Sequence, residues 1–196
     1  MKHIRIQHST AYQYSEPVTL LPHKLMIRPR VGHDIQLISS SLLITPNNVV
    51  KWHRDIYGNS VAIVTFTEPA TEMSIVSDVV VSHFEAEPLD FIVDEKALMF
   101  PFYFDPSERL DLIPYQTLCF PSDSETIAQW LKQFWRPGQM IETYALLDNI
   151  NKEIVQNFAY QMREQPGVQR PAETLEKRSG SCRDFATLFI DACRYF

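Results

Sequence analysis

Gly180-Ser181-Cys182-Arg183-Asp184-Phe185-Ala186 decides how the rest of the 196-residue chain is read. Two small residues run into a cysteine. The cysteine opens a segment in which Phe185, Ala186, Phe189, Ala192, Cys193 and Phe196 recur at helical spacing, the mark of a helix burying one face. Ser181 followed three residues later by Asp184 is a capping-box start signal. With Ser181 as N-cap, Cys182 is the first helical residue, among backbone N–H groups that lack intrahelical acceptors and at the positive end of the helix dipole. A helix start favours thiolate over thiol, and its N–H groups can stabilise an oxyanion formed beside the sulfur. Placement thus makes Cys182 a candidate nucleophile. A cysteine in an apolar-faced helix is equally a small core hydrophobe, and the local pattern leaves both readings open.

Upstream of this stretch the chain reads as helices. Ser122-Asp123-Ser124-Glu125 is a start signal for Thr126 to Trp135, which stops at Pro137-Gly138. Leu147, Ile150, Ile154, Val155, Phe158 and Met162 form an apolar stripe that predicts a helix from about Thr143 to Arg163, broken by Gln165-Pro166-Gly167. Pro171 to Arg178 reads as a turn or short helix leading to Ser179-Gly180. Residues 85 to 121 read as a connector rich in proline and aromatics, among them Pro88, Pro101, Phe102, Tyr103, Phe104, Pro106, Pro114 and Pro121.

The first 84 residues read as strands. His3 to Ile6 and Ala11 to Tyr14 alternate before a turn at Ser15-Glu16-Pro17. Leu20 to Ile27 is apolar and ends at Arg28-Pro29-Arg30. Asp34 to Thr45 alternates and stops at Pro46-Asn47-Asn48. Val49 to Arg54 leads into the tight-turn signature Tyr57-Gly58-Asn59-Ser60, followed by Val61 to Thr67 and Met73 to Phe84, rich in Val, Ile and Thr. Strands of this length and spacing predict an antiparallel β-sandwich. Strands first and helices after predict a segregated α+β fold. The expected organisation is 1–84 as a β-sandwich, 85–121 as connector, and 122–196 as helices.

Composition narrows the function classes. Hydrophobic residues make up 45% and charged residues 21%, and 24 acidic residues against 18 basic give a net charge of −6. No basic stripe points to nucleic acid. Arg28 to Arg30 and Lys177-Arg178 read as solvated turns. No apolar run reaches the roughly 18 residues that span a bilayer, and the N-terminus lacks the apolar stretch of a signal peptide. Cys119, Cys182 and Cys193 are an odd number of cysteines, which argues for reduced thiols and a cytoplasmic setting. Cys193, about three helical turns after Cys182, reads as core. His3, His8, His23, His33, His53 and His83 are scattered, with no HxxxH or CxxC pair, so neither a metal site nor a cofactor site is expected.

The run Thr174-Leu175-Glu176-Lys177-Arg178-Ser179-Gly180-Ser181-Cys182-Arg183-Asp184-Phe185-Ala186-Thr187-Leu188, ending in Cys193-Arg194-Tyr195-Phe196, resembles the active-site segment of bacterial transglutaminase-like proteins, of the papain-like cysteine enzyme superfamily. Tyr12-x-Tyr14-x-x-Pro17-Val18, Arg28-Pro29-Arg30 and Asp55-Ile56-Tyr57-Gly58-Asn59 are similar to the β domain that precedes the core in those proteins. The resemblance implies that the Cys182 thiolate attacks an amide carbonyl carbon, forming an acyl-enzyme that is released to an amine or to water. It implies a histidine base oriented by an Asp or Asn, both on a sheet following the cysteine helix. Phe196 comes only fourteen residues after Cys182, so the expectation is an N-terminal portion of such an enzyme, truncated after the cysteine helix and inactive alone. The expected partner is a protein or peptide substrate, and the helix face around Phe189 and Phe196 is expected to invite self-association. A non-catalytic binding or scaffolding protein on the same fold is the alternative. Asp184 reads as the cap of its own helix, with pairing to a nearby charge as the alternative.

Overall fold

The computed structural model describes residues 1–85 and 92–196. Pro88 and the adjoining part of the expected connector lie outside the described residues. The chain divides into two compact units, Met1–Phe91 and Ile92–Phe196.

The first unit is built from six antiparallel strands: β1 (Lys2–Val18), β2 (His23–Leu25), β3 (Ile35–Thr45), β4 (Asn48–Arg54), β5 (Ser60–Phe66) and β6 (Ala70–His83). They form two three-stranded sheets, ordered β1-β6-β3 and β2-β5-β4. The expected turn at Ser15-Glu16-Pro17 is absent. β1 runs through it, and its pairing with β6 shifts register between Gln13 and Val18, so a bulge absorbs Pro17 without ending the strand. On β6, Met73, Ile75, Ser77, Val79 and Val81 are buried at every second position, as a strand with one covered face requires. Leu20, Met73 and Ile75 pack with Leu42 and Ile44 of one sheet and Leu25 and Phe66 of the other, closing the sandwich. Between β4 and β5, Gly58 takes φ 76°, a left-handed conformation that favours glycine.

The second unit is mainly helical. The segment read as an irregular connector contributes β7 (Met99–Phe100) and α1 (Arg109–Gln116). There follow α2 (Ser124–Leu131), β8 (Ile141–Glu142), α3 (Thr143–Asn157), β9 (Ala159–Tyr160), α4 (Pro171–Lys177), β10 (Ser179–Gly180) and α5 (Cys182–Tyr195). Helix α3 stops six residues before the expected end. Phe158 turns to extended backbone, and Ala159 and Tyr160 instead pair in parallel with Ser179 and Gly180. Phe100, Ile127, Leu131, Leu146, Ile150, Ile154, Phe158, Leu188 and Ala192 form the buried core. Met162, the last residue of the expected α3 stripe, is exposed. Edge-to-face contacts of Phe100 with Trp135 and Phe196, centroids 5.0 Å apart in each case, hold β7 against the end of α5.

Candidate active site

Helix α5 begins where the sequence predicts, with Ser181 extended at the N-cap and Cys182 as the first helical residue. The Cys182 residue is exposed. It stands at one end of an open, largely apolar groove of about 440 Å³, walled by Ile154, Phe158, Tyr160, Phe185 and Phe189. The first two N–H groups of the helix, those of Cys182 and Arg183, have no residue one turn earlier to accept them.

Asp184 fixes this corner. It is fully buried, and each carboxylate oxygen accepts two hydrogen bonds. Oδ1 accepts from Arg163 Nη1 at 2.7 Å and from the Gln169 N–H at 2.7 Å. Oδ2 accepts from the N–H and the hydroxyl of Ser181, both at 2.8 Å. The residue thus both caps its own helix and pairs with a charge, the two readings that the sequence left open. Burial by itself pushes the Asp184 carboxyl up. The N–H groups of Gln169 and Ser181, the Ser181 hydroxyl and the Arg163 guanidinium outweigh it and hold the group well below the usual carboxylate range. One ionised side chain therefore ties the loop after β9 to the residue that precedes Cys182.

The approach to the cysteine is shaped by close packing. A Cβ on Gly180 would meet Asp184 Cβ at 3.0 Å and Oδ2 at 3.2 Å, so glycine is what lets β10 lie against the start of α5. On the other side β10 pairs with β9, with the Ala159 N–H donating to Arg178 O and the Gln161 N–H to Gly180 O, both at 2.8 Å. This ladder sets Tyr160 beside Gly180, two residues before the thiol. Arg178 ends α4 in the left-handed region at φ 47° and is held by its guanidinium over the Phe158 ring, 5.7 Å from the centroid. Arg183 turns outward and donates to Gln165 O at 2.7 Å.

Two further buried carboxylates brace the second unit: Asp191 on α5, which the sequence pattern does not signal, and Asp123, which it signals only as part of the start of α2. Asp191 accepts from the N–H groups of Cys119 at 2.7 Å and Phe120 at 2.9 Å, pinning the chain ahead of α2 to the middle of α5. Asp123 accepts from Arg170 and from the Ala172 N–H, docking the start of α4 to the start of α2. Gln169, also unforeseen, is buried. Its side-chain N–H groups go to Thr174 Oγ1 and Ser179 O, so its donors hold the loop and do not face the thiol.

The other two thiols differ from Cys182. Burial pushes the Cys193 thiol up to about 11. Cys119 is exposed like Cys182, but partial desolvation of its thiol, then the Asp191 carboxylate, raises it above the ordinary thiol range, and Arg194, 3.0 Å from its sulfur, only partly offsets this.

Residues 4–82 match the bacterial transglutaminase-like N-terminal region, and residues 137–196 match the transglutaminase-like superfamily. The two matches together span most of the chain, and both are to transglutaminase-like proteins, which this chain resembles. The α+β fold of this chain, antiparallel strands first and the cysteine helix after, is the one expected from the sequence. A crystal structure of a candidate cysteine protease from Cytophaga hutchinsonii, solved to 1.9 Å, has a similar fold, with a TM-score of 0.66 and 18% identity over 98% of this chain. The transglutaminase-like chain spans 66% of the length of that protein. No curated protein matches it. No helix among the described residues is long and apolar enough to cross a membrane.

Proposed function

We propose that this transglutaminase-like chain carries the nucleophile of an acyl-transfer enzyme, with Cys182 forming a thioester to the acyl group of a protein or peptide amide. The observation that carries this reading is the seating of Cys182. It is exposed, first in its helix, open to a groove, and preceded by a residue locked by the fully buried Asp184. The thiolate sulfur attacks the carbonyl carbon, and the carbonyl electron pair moves onto oxygen. The N–H groups at the start of α5, which have no acceptor within the helix, are the donors this reading assigns to that oxyanion. Collapse breaks the C–N bond, and the leaving nitrogen takes a proton from the general acid. An amine or water then attacks the thioester carbon and releases the thiolate.

All six histidines lie at or before His83, so the second unit supplies no imidazole of its own. The family resemblance assigns the base and its Asp to a sheet following the cysteine helix, outside these 196 residues. This reading therefore expects negligible amide turnover from residues 1–196. The odd number of cysteines supports a reducing, cytoplasmic setting.

The test is amine incorporation into, and hydrolysis of, glutamine-containing peptides. It is run on the chain and on a form extended past Phe196, each with and without Cys182→Ala. Turnover only in the extended form, abolished by Cys182→Ala, is the expected result. Turnover by the 196-residue chain that needs Cys182 would place the base within it. Turnover that survives Cys182→Ala would remove this residue from the mechanism, and lack of turnover in the extended form would favour a binding protein on the same fold.

A further inference from the structure

The two arginine-bearing turns of the first unit, widely separated in sequence, meet at one concavity. Arg28-Pro29-Arg30 follows β2, and Arg54 closes β4 ahead of the Asp55–Asn59 turn. Arg28, Arg30 and Arg54 line a groove of about 310 Å³ with Gly58 and Ser60. Arg54 Nη1 donates to Gly58 O at 3.2 Å, and Arg30 Nη2 lies 3.8 Å from where a Gly58 Cβ would stand, so glycine brings two guanidiniums onto the same turn.

Among the described residues, none of the three arginines is in an ion pair. The nearest carboxylate in the turn is already committed. Asp55 Oδ1 accepts from the N–H groups of Tyr57 at 3.0 Å and Asn59 at 2.8 Å, and Oδ2 accepts from the Asn59 amide at 2.8 Å. Supporting the turn accounts for Arg54 but leaves Arg28 and Arg30 without a role. Three cations gathered on one concavity of a chain whose net charge is −6 repel one another until an anion enters.

The adjoining groove, about 540 Å³, shares Arg28, Val31 and Leu37 with the first and continues into Ile35 and Phe84. A cationic groove thus opens directly onto one that is partly apolar, with Val31, Ile35, Leu37 and Phe84 beside Arg28 and Gln36. We propose that the pair is a binding site for the terminal carboxylate of a peptide whose last side chain is apolar. The carboxylate lies against the guanidiniums, and the side chain lies on Leu37, Val31 and Phe84. A carboxylate fits better than a phosphate. The Tyr57 and Asn59 N–H groups are turned onto Asp55, which leaves the guanidinium forks as donors, and the adjoining groove seats an apolar side chain that a peptide carries and free phosphate lacks. Nothing in this assignment depends on Cys182.

The test uses N-acetyl-leucyl-phenylalanine, its C-terminal amide, and inorganic phosphate. Each is titrated into the full chain at low salt and followed by amide-resolved NMR of residues 28–37 and 54–60. The free acid is expected to bind at least about tenfold more tightly than the amide, since a charge-assisted pair exceeds a neutral one by about that factor. Arg28→Gln and Arg30→Gln are each expected to weaken it about five- to tenfold without changing the melting temperature, and Cys182→Ala to leave it unchanged. Arg30→Lys, which keeps the charge and loses the fork, is expected to fall between Arg30→Gln and the parent. Equal binding of acid and amide, or binding unaffected by both glutamine variants, overturns the site. Phosphate binding more tightly than the free acid overturns the choice of a carboxylate.

Discussion

Replacing Asp184 by asparagine keeps the shape and removes the charge, and the structure gives the size of the effect. The carboxylate receives four donors, two on each oxygen. Asparagine has one oxygen, so its amide nitrogen must face one pair of donors. Facing Ser181 is the milder choice, because the hydroxyl can rotate and accept, leaving only the Ser181 N–H unmatched. That orphaned donor costs about 1–3 kcal/mol. The guanidinium of Arg163, with 18% of its side chain exposed, also loses its counter-charge, and breaking a largely buried ion pair brings the total to about 3–5 kcal/mol. Against the ~5–15 kcal/mol stability of an ordinary domain, this is a large fraction. The pH dependence has a definite sign. The folded carboxyl is held below its unfolded value of about 3.9, so its contribution is complete above about pH 4 and is lost as the pH falls toward the folded value. Urea unfolding of the parent and Asp184→Asn chains, followed by the fluorescence of Trp130 and Trp135, should show a gap of several kcal/mol at pH 7 that narrows below pH 4. A gap under about 1 kcal/mol at pH 7, or one that persists unchanged in acid, would refute the role given to Asp184.

Further outcomes follow from the same corner. Gly180→Ala should cost about 1–3 kcal/mol, since the new Cβ meets an Asp184 side chain that four hydrogen bonds prevent from yielding; thermal unfolding measures this. Asp191→Asn leaves either the Cys119 or the Phe120 N–H facing an amide nitrogen, and should destabilise the second unit by about 1–3 kcal/mol in urea, with amide exchange accelerated first at residues 119–120. Cys193, whose thiol burial pushes up to about 11, should resist iodoacetamide in the folded chain at pH 8 and react readily once the chain is unfolded in urea, as peptide mapping would read.

Much of the architecture was legible because its signals are local. Alternation from Asp34 to Thr45 pointed to β3, the Val, Ile and Thr content of Met73 to Phe84 pointed to β6, and Ser181-x-x-Asp184 gave the start of α5 to the residue. The misreadings have physical causes. Pro17 is a turn signal in isolation, but a strand with a long partner can bulge around it, and nothing local reveals that Val18 pairs with Ala70 at the start of β6. The end of α3 was misplaced because Met162 continues the 3.6-residue period by chance, while the parallel pairing of β9 with β10 removes the chain from the helix. The buried face of α5 was displaced for another reason. Its fully buried positions are Asp184, Leu188, Asp191 and Ala192, and two of those four are charged. A hydrophobic pattern therefore points to the flanking Phe185 and Phe189, which are only partly covered. Buried aspartates become legible only through the donors that satisfy them, and Arg163, Gln169 and the Cys119 N–H lie 15 to 72 residues away along the chain.

The central claim is that Cys182 is the nucleophile, and acyl capture tests it most directly. The folded chain is treated with p-nitrophenyl acetate at pH 7.5, an ester reactive enough to acylate a thiol without help from a histidine base. Released p-nitrophenolate is followed with time, and the acetylated residue is found by peptide mass mapping. The account predicts a single early thioester on Cys182, formed at least about tenfold faster than on Cys119 or Cys193 and absent in Cys182→Ala, because those two thiols are raised and Cys182 is exposed at its helix start. Acetyl groups distributed evenly over the three cysteines, or an early phase that survives Cys182→Ala, would contradict it.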